Sequence, residues 1–347
     1  MPPRRSGALV PIFFALSGFL VTGSALRLTI GKFVLSRVLR IVPALAVDTL
    51  VMVLLIGPLV TTLPLGTYFT DPGTAKYLLN IVGEIHFTLP GVFTGNPLKG
   101  VVNGSLWTIP PELGCYPAMS ALILFGWVRS WRIVALGAAA VFALVVLASS
   151  VGDLLSAVPA DLTVPLQHGL ERPGIKLVGF FLLGSLAFLL RGRIPYSPRL
   201  AGLSLLLFPI GAAFGSAAWI GEPLWVLGTA LPLTYLMAFL GLTKLPKLPF
   251  FDRGDYSYGI YLYGFPIQQL MMHLFAPASP FALFALTLLP VTALAIFSWH
   301  VVEKPTLRLR KAFSMAAKIE AERERERAAE AAAPAAPRAE EVRVAGG

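Results

Sequence analysis

Nine apolar segments, each about as long as a membrane-spanning helix, constrain this chain more than any other feature of its sequence. They cover roughly residues 10–26, 41–60, 106–127, 133–150, 174–190, 200–217, 223–241, 256–275 and 281–300. Lipid cannot pair exposed backbone groups, and the segments lack the alternation of barrel strands, so each is expected to be a helix. The sequence therefore predicts an all-α, polytopic transmembrane helix bundle of about nine spans.

The composition agrees with a membrane protein. Of the 347 residues, 56% are hydrophobic and only 13% are charged, about half the charge of a soluble domain. The net charge of +10 does not indicate a nucleic-acid-binding protein, because the basic residues sit in short loops and form no basic face. We expect one transmembrane domain over 1–311, followed by a polar tail over 312–347 that is first helical and then disordered.

The charges of the loops predict an orientation. Twelve Lys or Arg residues lie in loops 27–40, 128–132, 191–199 and 242–254, against three in loops 61–105, 151–173, 218–222 and 276–280. The first set is therefore expected on the cytoplasmic side of the cell (inner or plasma) membrane, together with the C-terminus. This alternation requires that the interrupted apolar stretch at about 77–93 is interfacial or re-entrant and does not span.

The same orientation places the start of the chain outside, where Arg4 and Arg5 are disfavoured. An additional upstream span would remove this conflict. The loop charges thus predict that a first transmembrane helix is missing from this sequence.

Two carboxylates fall inside predicted spans, where a charge is costly. Asp48 lies about two turns from the cytoplasmic side and is expected either to pair with a loop arginine, Arg37 or Arg40, or to have a functional role. Glu112 lies about two turns from the external side, directly after Pro110 and Pro111, which interrupt the helix. It is expected either to transfer protons or to brace helix packing.

Other chemistry-bearing residues give weaker signals. Arg37 and Arg40 share one helix face, which suits either phosphate binding or ordinary anchoring at the membrane surface. The histidines His86, His168, His273 and His300 show no metal-ligand spacing, and Cys115 is the single cysteine. The sequence therefore predicts neither a metal site nor a bound cofactor.

Five motifs together resemble one known family. They are FFALSGFLVTGSALR at 13–27, RVLRIVP at 37–43, NGSLWTIPPELGCY at 103–116, YSYGIYLYGFPI at 256–267 and SWHVVEKP at 298–305. In this order they resemble the signatures of the acyltransferase-3 family, the membrane O-acyltransferases that include O-antigen and nodulation-factor acetylases. The resemblance implies transfer of an acyl group, usually acetyl, from cytoplasmic acyl-CoA to a hydroxyl of a cell-envelope or exported glycan.

The resemblance also implies roles for matched positions. Acyl-CoA is the expected donor substrate, held through its phosphates at Arg37 and Arg40. The SGF motif, with Ser17 and Gly18, would allow close helix packing or passage of the pantetheine arm. The residues expected to shape the acceptor site are Asn103, Trp107, Tyr258 and Tyr261, with Glu112 beside them.

The chain also departs from the family pattern. Members begin with a further span, about ten in all, whose histidine is proposed as the general base. Within this chain, Glu112 and His86 are the candidates to replace it. Two alternatives stay open: a transporter or flippase for a glycolipid, and an inactive, truncated member of the family.

Overall fold

A computed structural model describes residues 9–155, 174–217, 221–243 and 254–308 of the chain. Its α-helices, in chain order α1 to α12, are Leu9–Ala25, Ile30–Val51, Gly57–Val60, Leu65–Thr70, Pro72–Leu78, Ile109–Leu124, Trp131–Leu155, Ile175–Leu189, Pro198–Ala217, Gly221–Leu242, Ser257–Phe275 and Pro280–Phe297. Within those ranges the only extended pairing is an isolated bridge between Thr88 and Val101. The all-α prediction is therefore confirmed over the described part of the chain.

Two continuous helices among the described residues are long and apolar enough to cross a bilayer. They are Ile30–Val60, with 31 residues, and Pro280–Arg308, with 29 residues. Five shorter apolar helical stretches have 10–17 residues: Leu9–Ala25, Trp131–Leu147, Ile175–Leu189, Pro198–Ile210 and Gly228–Leu242. The count of nine spans stays a prediction. The positions of Arg4, Arg5, His168 and the tail at 312–347 lie outside the described residues.

The α1 and α8 helices pack closely because both have glycine at the contact. A Cβ atom added to Gly18 would collide with the backbone carbonyl of Phe181, and one added to Gly184 would collide with that of Ala15. The Ser185 hydroxyl donates to the Gly18 carbonyl at 3.3 Å. Small residues and hydroxyl bonds of this kind are typical of helix contacts in membranes, where apolar burial alone gives no driving force.

The long helix that begins with α2 changes its hydrogen-bond pattern in the middle. A π-helical turn, Met52–Ile56, links α2 to the short α3. The hydroxyl of Tyr68 donates to the Val53 carbonyl at 3.0 Å, and Gly57 has no room for a Cβ beside that hydroxyl. The turn is thus stabilised from outside the helix, by the segment that follows it.

That following segment, residues 61–105, folds against one end of the helices. It contains α4, α5 and a 3₁₀ turn at Leu79–Val82, so no helix crosses the predicted interfacial stretch 77–93. On α11, the Gln269 side-chain amide donates to the carbonyls of Leu98 and Val101, at 2.9 and 2.6 Å. These bonds hold the 61–105 segment against the helix bundle. They therefore help to fix where the tyrosine and asparagine side chains of this segment enter the bundle.

Candidate functional site

Polar and charged side chains line α2 on the face that meets α6 and α11. We call this set the polar column. Its members are Arg37, Arg40, Asp48, Asn103, Thr108, Glu112, Tyr116, Asp255, Tyr258 and Tyr261. It contains most of the residues that the sequence analysis singled out, together with some that it missed.

We call the end of the column nearest the start of α2 its lower end. There, Arg40 forms an ion pair with Asp255. The Nη2 and Oδ2 atoms are 2.7 Å apart, and the two side chains are 32% and 44% exposed. Asp255 precedes α11 and also accepts a bond from the Ser257 hydroxyl at 2.6 Å. Burial alone would raise the pKa of Asp255, but the positive charge of Arg40 and these hydrogen bonds outweigh it, so the pKa lies below its ordinary value.

Arg37 and Glu112 also belong to this end. The Arg37 Nε donates to the Ser36 hydroxyl at 3.2 Å, and its guanidinium lies 5.9 Å from the centre of the Phe33 ring. Glu112 is in the first turn of α6 and accepts a bond from the Tyr116 hydroxyl at 2.7 Å. The charge of Glu112 is attracted by both arginines of α2.

Helix geometry explains why Glu112 lies with the arginines. The sequence predicted these residues near opposite membrane surfaces. From Asp48 down to Arg37 the helix falls about 16 Å, at about 1.5 Å per residue. The 3₁₀ turn Gly104–Thr108 and the first turn of α6 lead from Asn103, beside Asp48, to Glu112 over a path of about 16 Å. This length is enough for Glu112 to reach the arginines, whose charges act on it. Pro110 and Pro111 begin a helix and do not break one.

Two tyrosines of α11 form the middle of the column. The Tyr258 hydroxyl donates to the Ile41 carbonyl at 3.4 Å. The Tyr261 hydroxyl donates to the Ser105 carbonyl at 2.6 Å and shares a short hydrogen bond with Thr108. The Tyr261 ring also stacks on Phe13 of α1, with 6.1 Å between ring centres. The late aromatic motif is thus in contact with the first motif and with the N-x-S-L-W-T motif.

Asn103 organises the upper end. Its side-chain NH₂ donates to Asp48 Oδ2 and to the Leu262 carbonyl, both at 3.0 Å, and its Oδ1 accepts from the Ser105 backbone N–H at 3.1 Å. The prediction that Asp48 pairs with a loop arginine is wrong. Asp48 lies eight residues, or about 12 Å, above Arg40 along α2, and Arg40 pairs with Asp255.

The remaining predicted residues lie around the column or away from it. Gly18 is buried against α8, Ser17 is half-buried on α1, and Trp107 is half-buried in the 3₁₀ turn. His86 lies in the 61–105 segment, with its Nε2 3.2 Å from an oxygen of the exposed Glu84. The structure therefore groups Glu112 with the acyl-CoA candidates and leaves His86 outside the column.

Sequence reasoning gave no role to four residues of this neighbourhood: Thr108, Tyr116, Asp255 and Tyr77. Asp255 had no signal, because a loop carboxylate is unremarkable until its partner is known. Tyr116 follows Glu112 by four residues, a spacing that places both on one helix face and could have indicated their bond. Tyr77 seemed to belong to an interfacial stretch, yet it is fully buried.

Among the described residues, no group of three or more His, Cys, Asp or Glu side chains could hold a metal ion. Cys115 is buried in the helix core. A groove lined by Phe19, Arg191 and Tyr196 lies at the far end of α8, and none of its lining residues belongs to the polar column. The arrangement of the column instead suits binding an anionic group at the arginines and a hydroxyl group higher up.

Comparison with known proteins identifies a family. A family profile described as an acyltransferase domain, acyltransferase-3, matches residues 4–300. An O-acetyl transferase of Shigella phage Sf6 is 26% identical over 303 residues, which cover 86% of this chain and 84% of that protein. Nodulation protein 10 of Rhizobium leguminosarum bv. viciae is 28% identical over 340 residues, which cover 87% of this chain and 82% of that protein. No solved structure matches.

The family match includes four of the five motifs completely and the start of the fifth, and it spans the whole polar column. Members of this family are membrane proteins that transfer acyl groups, which agrees with the apolar helices described above. This chain belongs to the acyltransferase-3 family and is a membrane acyltransferase.

Proposed function

We propose that this protein is an O-acyltransferase of the cell membrane that moves an acyl group, most simply acetyl, from cytoplasmic acyl-CoA to a hydroxyl of a cell-envelope or exported glycan. The name of the Shigella phage relative supports transfer to oxygen. The observation that carries the proposal is the polar column itself. It joins two arginines at its lower end to the buried Asn103–Asp48 pair, which lies about 12 Å above Arg40 along α2.

The lower end of the column is the proposed donor site. Arg37 and Arg40 hold the phosphates of acyl-CoA, since a guanidinium presents five N–H donors in a planar fork that suits phosphate. Asp255 bonds to one nitrogen of Arg40 and fixes its orientation. Of the SGF motif, Gly18 serves helix packing, because the backbone of Phe181 fills the space beside it. The half-buried Ser17 on α1 is the residue of this motif that we assign to the pantetheine arm. Acyl-CoA is a substrate here, and the proposal needs no resident cofactor or metal.

The middle and upper parts of the column are the proposed acceptor site. Asn103, Trp107, Tyr258 and Tyr261 shape the space for the glycan. Of the proton acceptors that the sequence suggested, Glu112 lies at the arginine end of the column and His86 lies outside it. In the overall arrangement, nine spans carry this column through the membrane and the C-terminus lies in the cytoplasm, as the loop charges predict.

The reaction needs mainly positioning. The acceptor oxygen attacks the thioester carbonyl carbon, the C–S bond breaks, and the hydroxyl proton ends on the CoA thiol, so that an ester and free CoA are formed. Holding the two substrates in one water-poor site converts a bimolecular reaction into an effectively unimolecular one. Base assistance adds to this by removing the proton as the C–O bond forms.

The test is acetyl-CoA binding by the purified chain in detergent. The double variant Arg37→Gln, Arg40→Gln should bind acetyl-CoA about 10- to 100-fold more weakly, because charge-assisted bonds to phosphate are lost. Arg191→Gln is the matched control: this arginine is also predicted to be cytoplasmic, but it bonds to the Phe188 carbonyl, outside the column. Unchanged affinity in the double variant, with the protein folded, would contradict the donor assignment.

Transfer itself is measured in membrane vesicles from cells that produce the protein, supplied with radiolabelled acetyl-CoA. We expect label in the polysaccharide fraction, released by mild alkali as an ester is. Release of CoA without label in polysaccharide would contradict a glycan acceptor. Label that resists alkali would contradict transfer to oxygen.

A further inference from the structure

Two buried polar atoms near the upper end of the column have no hydrogen-bond partner in the described structure. They are Oδ1 of Asp48 and the hydroxyl of Tyr77. Both side chains are completely inaccessible to solvent. The two residues lie on helices that pack together: α5, which carries Tyr77, contacts α2, which carries Asp48. Tyr77 is buried in the same cluster as Met52, one helical turn after Asp48 on α2.

Such a pair is costly unless something completes it. A buried donor or acceptor that loses its bonds to water must be compensated, and nearly all buried polar groups in native proteins have a partner. Here one group accepts and the other donates. A small group that is both donor and acceptor satisfies both, and a hydroxyl is such a group.

The position of the pair agrees with its chemistry. Asp48 lies on α2, about 12 Å above Arg40 along the helix. Tyr77 belongs to α5, in the 61–105 segment that the loop charges place on the external side. A donor anchored at the arginines and an acceptor arriving beneath the 61–105 segment would therefore meet at this pair.

We propose that Asp48 and Tyr77 form the site for the hydroxyl that is acylated, with Tyr77 donating to the hydroxyl oxygen and Asp48 accepting its proton. This inference rests on the proposed function. As the acceptor oxygen bonds to the thioester carbonyl carbon, its proton passes to Asp48 Oδ1 and the C–S bond breaks. The proton then passes from Asp48 to the departing thiolate, which regenerates the carboxylate and gives free CoA.

The other candidate bases are less well placed. Glu112 already accepts a bond from Tyr116 and lies at the arginine end of the column, where the charges of Arg40 and Arg37 act on it. His86 lies beside the exposed Glu84 and outside the column. Asp48, in contrast, is held by Asn103 through one oxygen, so that the other oxygen has a fixed direction.

The experiment uses membrane vesicles that contain the full chain, radiolabelled acetyl-CoA as donor, and the polysaccharide of the host envelope as acceptor. Asp48→Asn should lower the alkali-labile label in polysaccharide at least 100-fold, the range expected for loss of a general base, with acetyl-CoA affinity unchanged. Tyr77→Phe, which removes a single oxygen from a fully buried ring, should lower it about tenfold. The Tyr77→Phe variant tests the site even if Asp48→Asn does not fold.

Tyr68→Phe is the matched control, because Tyr68 is a buried tyrosine of the same segment whose hydroxyl already bonds to the Val53 carbonyl. It should keep transfer within about threefold of wild type. If Asp48→Asn and Tyr77→Phe both transfer label to polysaccharide at the wild-type level, this inference alone is overturned. Transfer lost in Glu112→Gln or His86→Gln but kept in Asp48→Asn also overturns it and assigns the base elsewhere. A wild-type chain that incorporates no label overturns the proposed function, and this inference with it.

Discussion

Asn103 shows how much of this site depends on one side chain. Its amide donates to a carboxylate of α2 and a carbonyl of α11, while its oxygen caps the 3₁₀ turn that leads into α6. A neutral amide with both donors used and its oxygen occupied is a satisfied buried polar group. Its partner Asp48 keeps one oxygen without a hydrogen bond in the described structure. Asp48 is the residue for which we propose a catalytic role.

We predict that Asn103→Leu destabilises the protein by about 3 kcal/mol, because it leaves a buried carboxylate without its donor. The double variant Asn103→Leu, Asp48→Leu should be less destabilised than the sum of the single variants, with a coupling of about 1–3 kcal/mol. The free energy of unfolding in detergent measures both. Strict additivity would show that the two side chains do not stabilise each other.

The Arg40–Asp255 pair should behave differently, because it is partly exposed and screened. Asp255→Asn should cost less than about 1 kcal/mol at neutral pH. Because the pKa of Asp255 is lowered in the folded state, the stabilisation is present above the unfolded carboxyl pKa of about 3.9 and is lost as the pH falls through the folded value.

Thermal unfolding of wild type and Asp255→Asn between neutral and acid pH tests this. The difference between the two should shrink towards zero in acid. A difference that grows as the pH falls would contradict the assigned pair.

At the scale of helices, the glycine contacts decide which elements approach closely. Gly18 and Gly184 allow α1 and α8 to touch through their backbones, whereas Gly202 on α9 has open space around it. The same residue type therefore has opposite roles in two helices. A backbone atom cannot rotate away from a new methyl group as a side chain can, so the cost falls on the helix pair itself.

We predict that Gly18→Ala and Gly184→Ala each destabilise the protein by about 1–3 kcal/mol, because α1 and α8 are forced apart. Gly202→Ala is the matched control. It should stabilise by about 0.5–1 kcal/mol, since alanine loses less conformational entropy in a helix. The free energy of unfolding in detergent provides the comparison. A change of the same sign at all three positions would contradict the close approach of α1 and α8.

At the scale of the whole molecule, the polar column requires a defined orientation in the membrane. Under the proposed function, the arginine end faces the compartment that supplies acyl-CoA, and the 61–105 segment faces the opposite side. The loop charges predict this arrangement. The sole cysteine, Cys115, is buried, so introduced cysteines can report the orientation against a silent background.

We predict that Gly192→Cys reacts with a membrane-impermeant maleimide only from the cytoplasmic side, and Gly95→Cys only from the outside. Both glycines are exposed, and neither has an atom near enough to clash with a Cβ. Intact cells and inside-out vesicles give the two accessibilities, with the wild-type chain as the unlabelled control. Labelling of both variants from one side would contradict the predicted topology.

The sequence by itself determined the class of fold and the family. Apolar runs of about 20 residues have one solution in lipid, a helix whose backbone groups pair within the segment, so the all-α architecture could be predicted from hydropathy. The ordered motifs predicted the acyltransferase-3 family, which the profile over residues 4–300 confirms. The same motifs singled out Arg40, Asn103, Glu112 and Tyr261, all members of the polar column.

The tertiary structure alone decided which of these residues meet. Depth and pairing depend on where each helix starts and on how neighbouring helices are offset, and hydropathy carries neither quantity. Glu112 therefore joins the arginines because a 3₁₀ turn precedes α6. Arg40 meets Asp255, 215 residues away in sequence. Asp48 and Tyr77 come together only because the 61–105 segment folds back onto α2, and a contact of that range is set by packing and not by any local pattern.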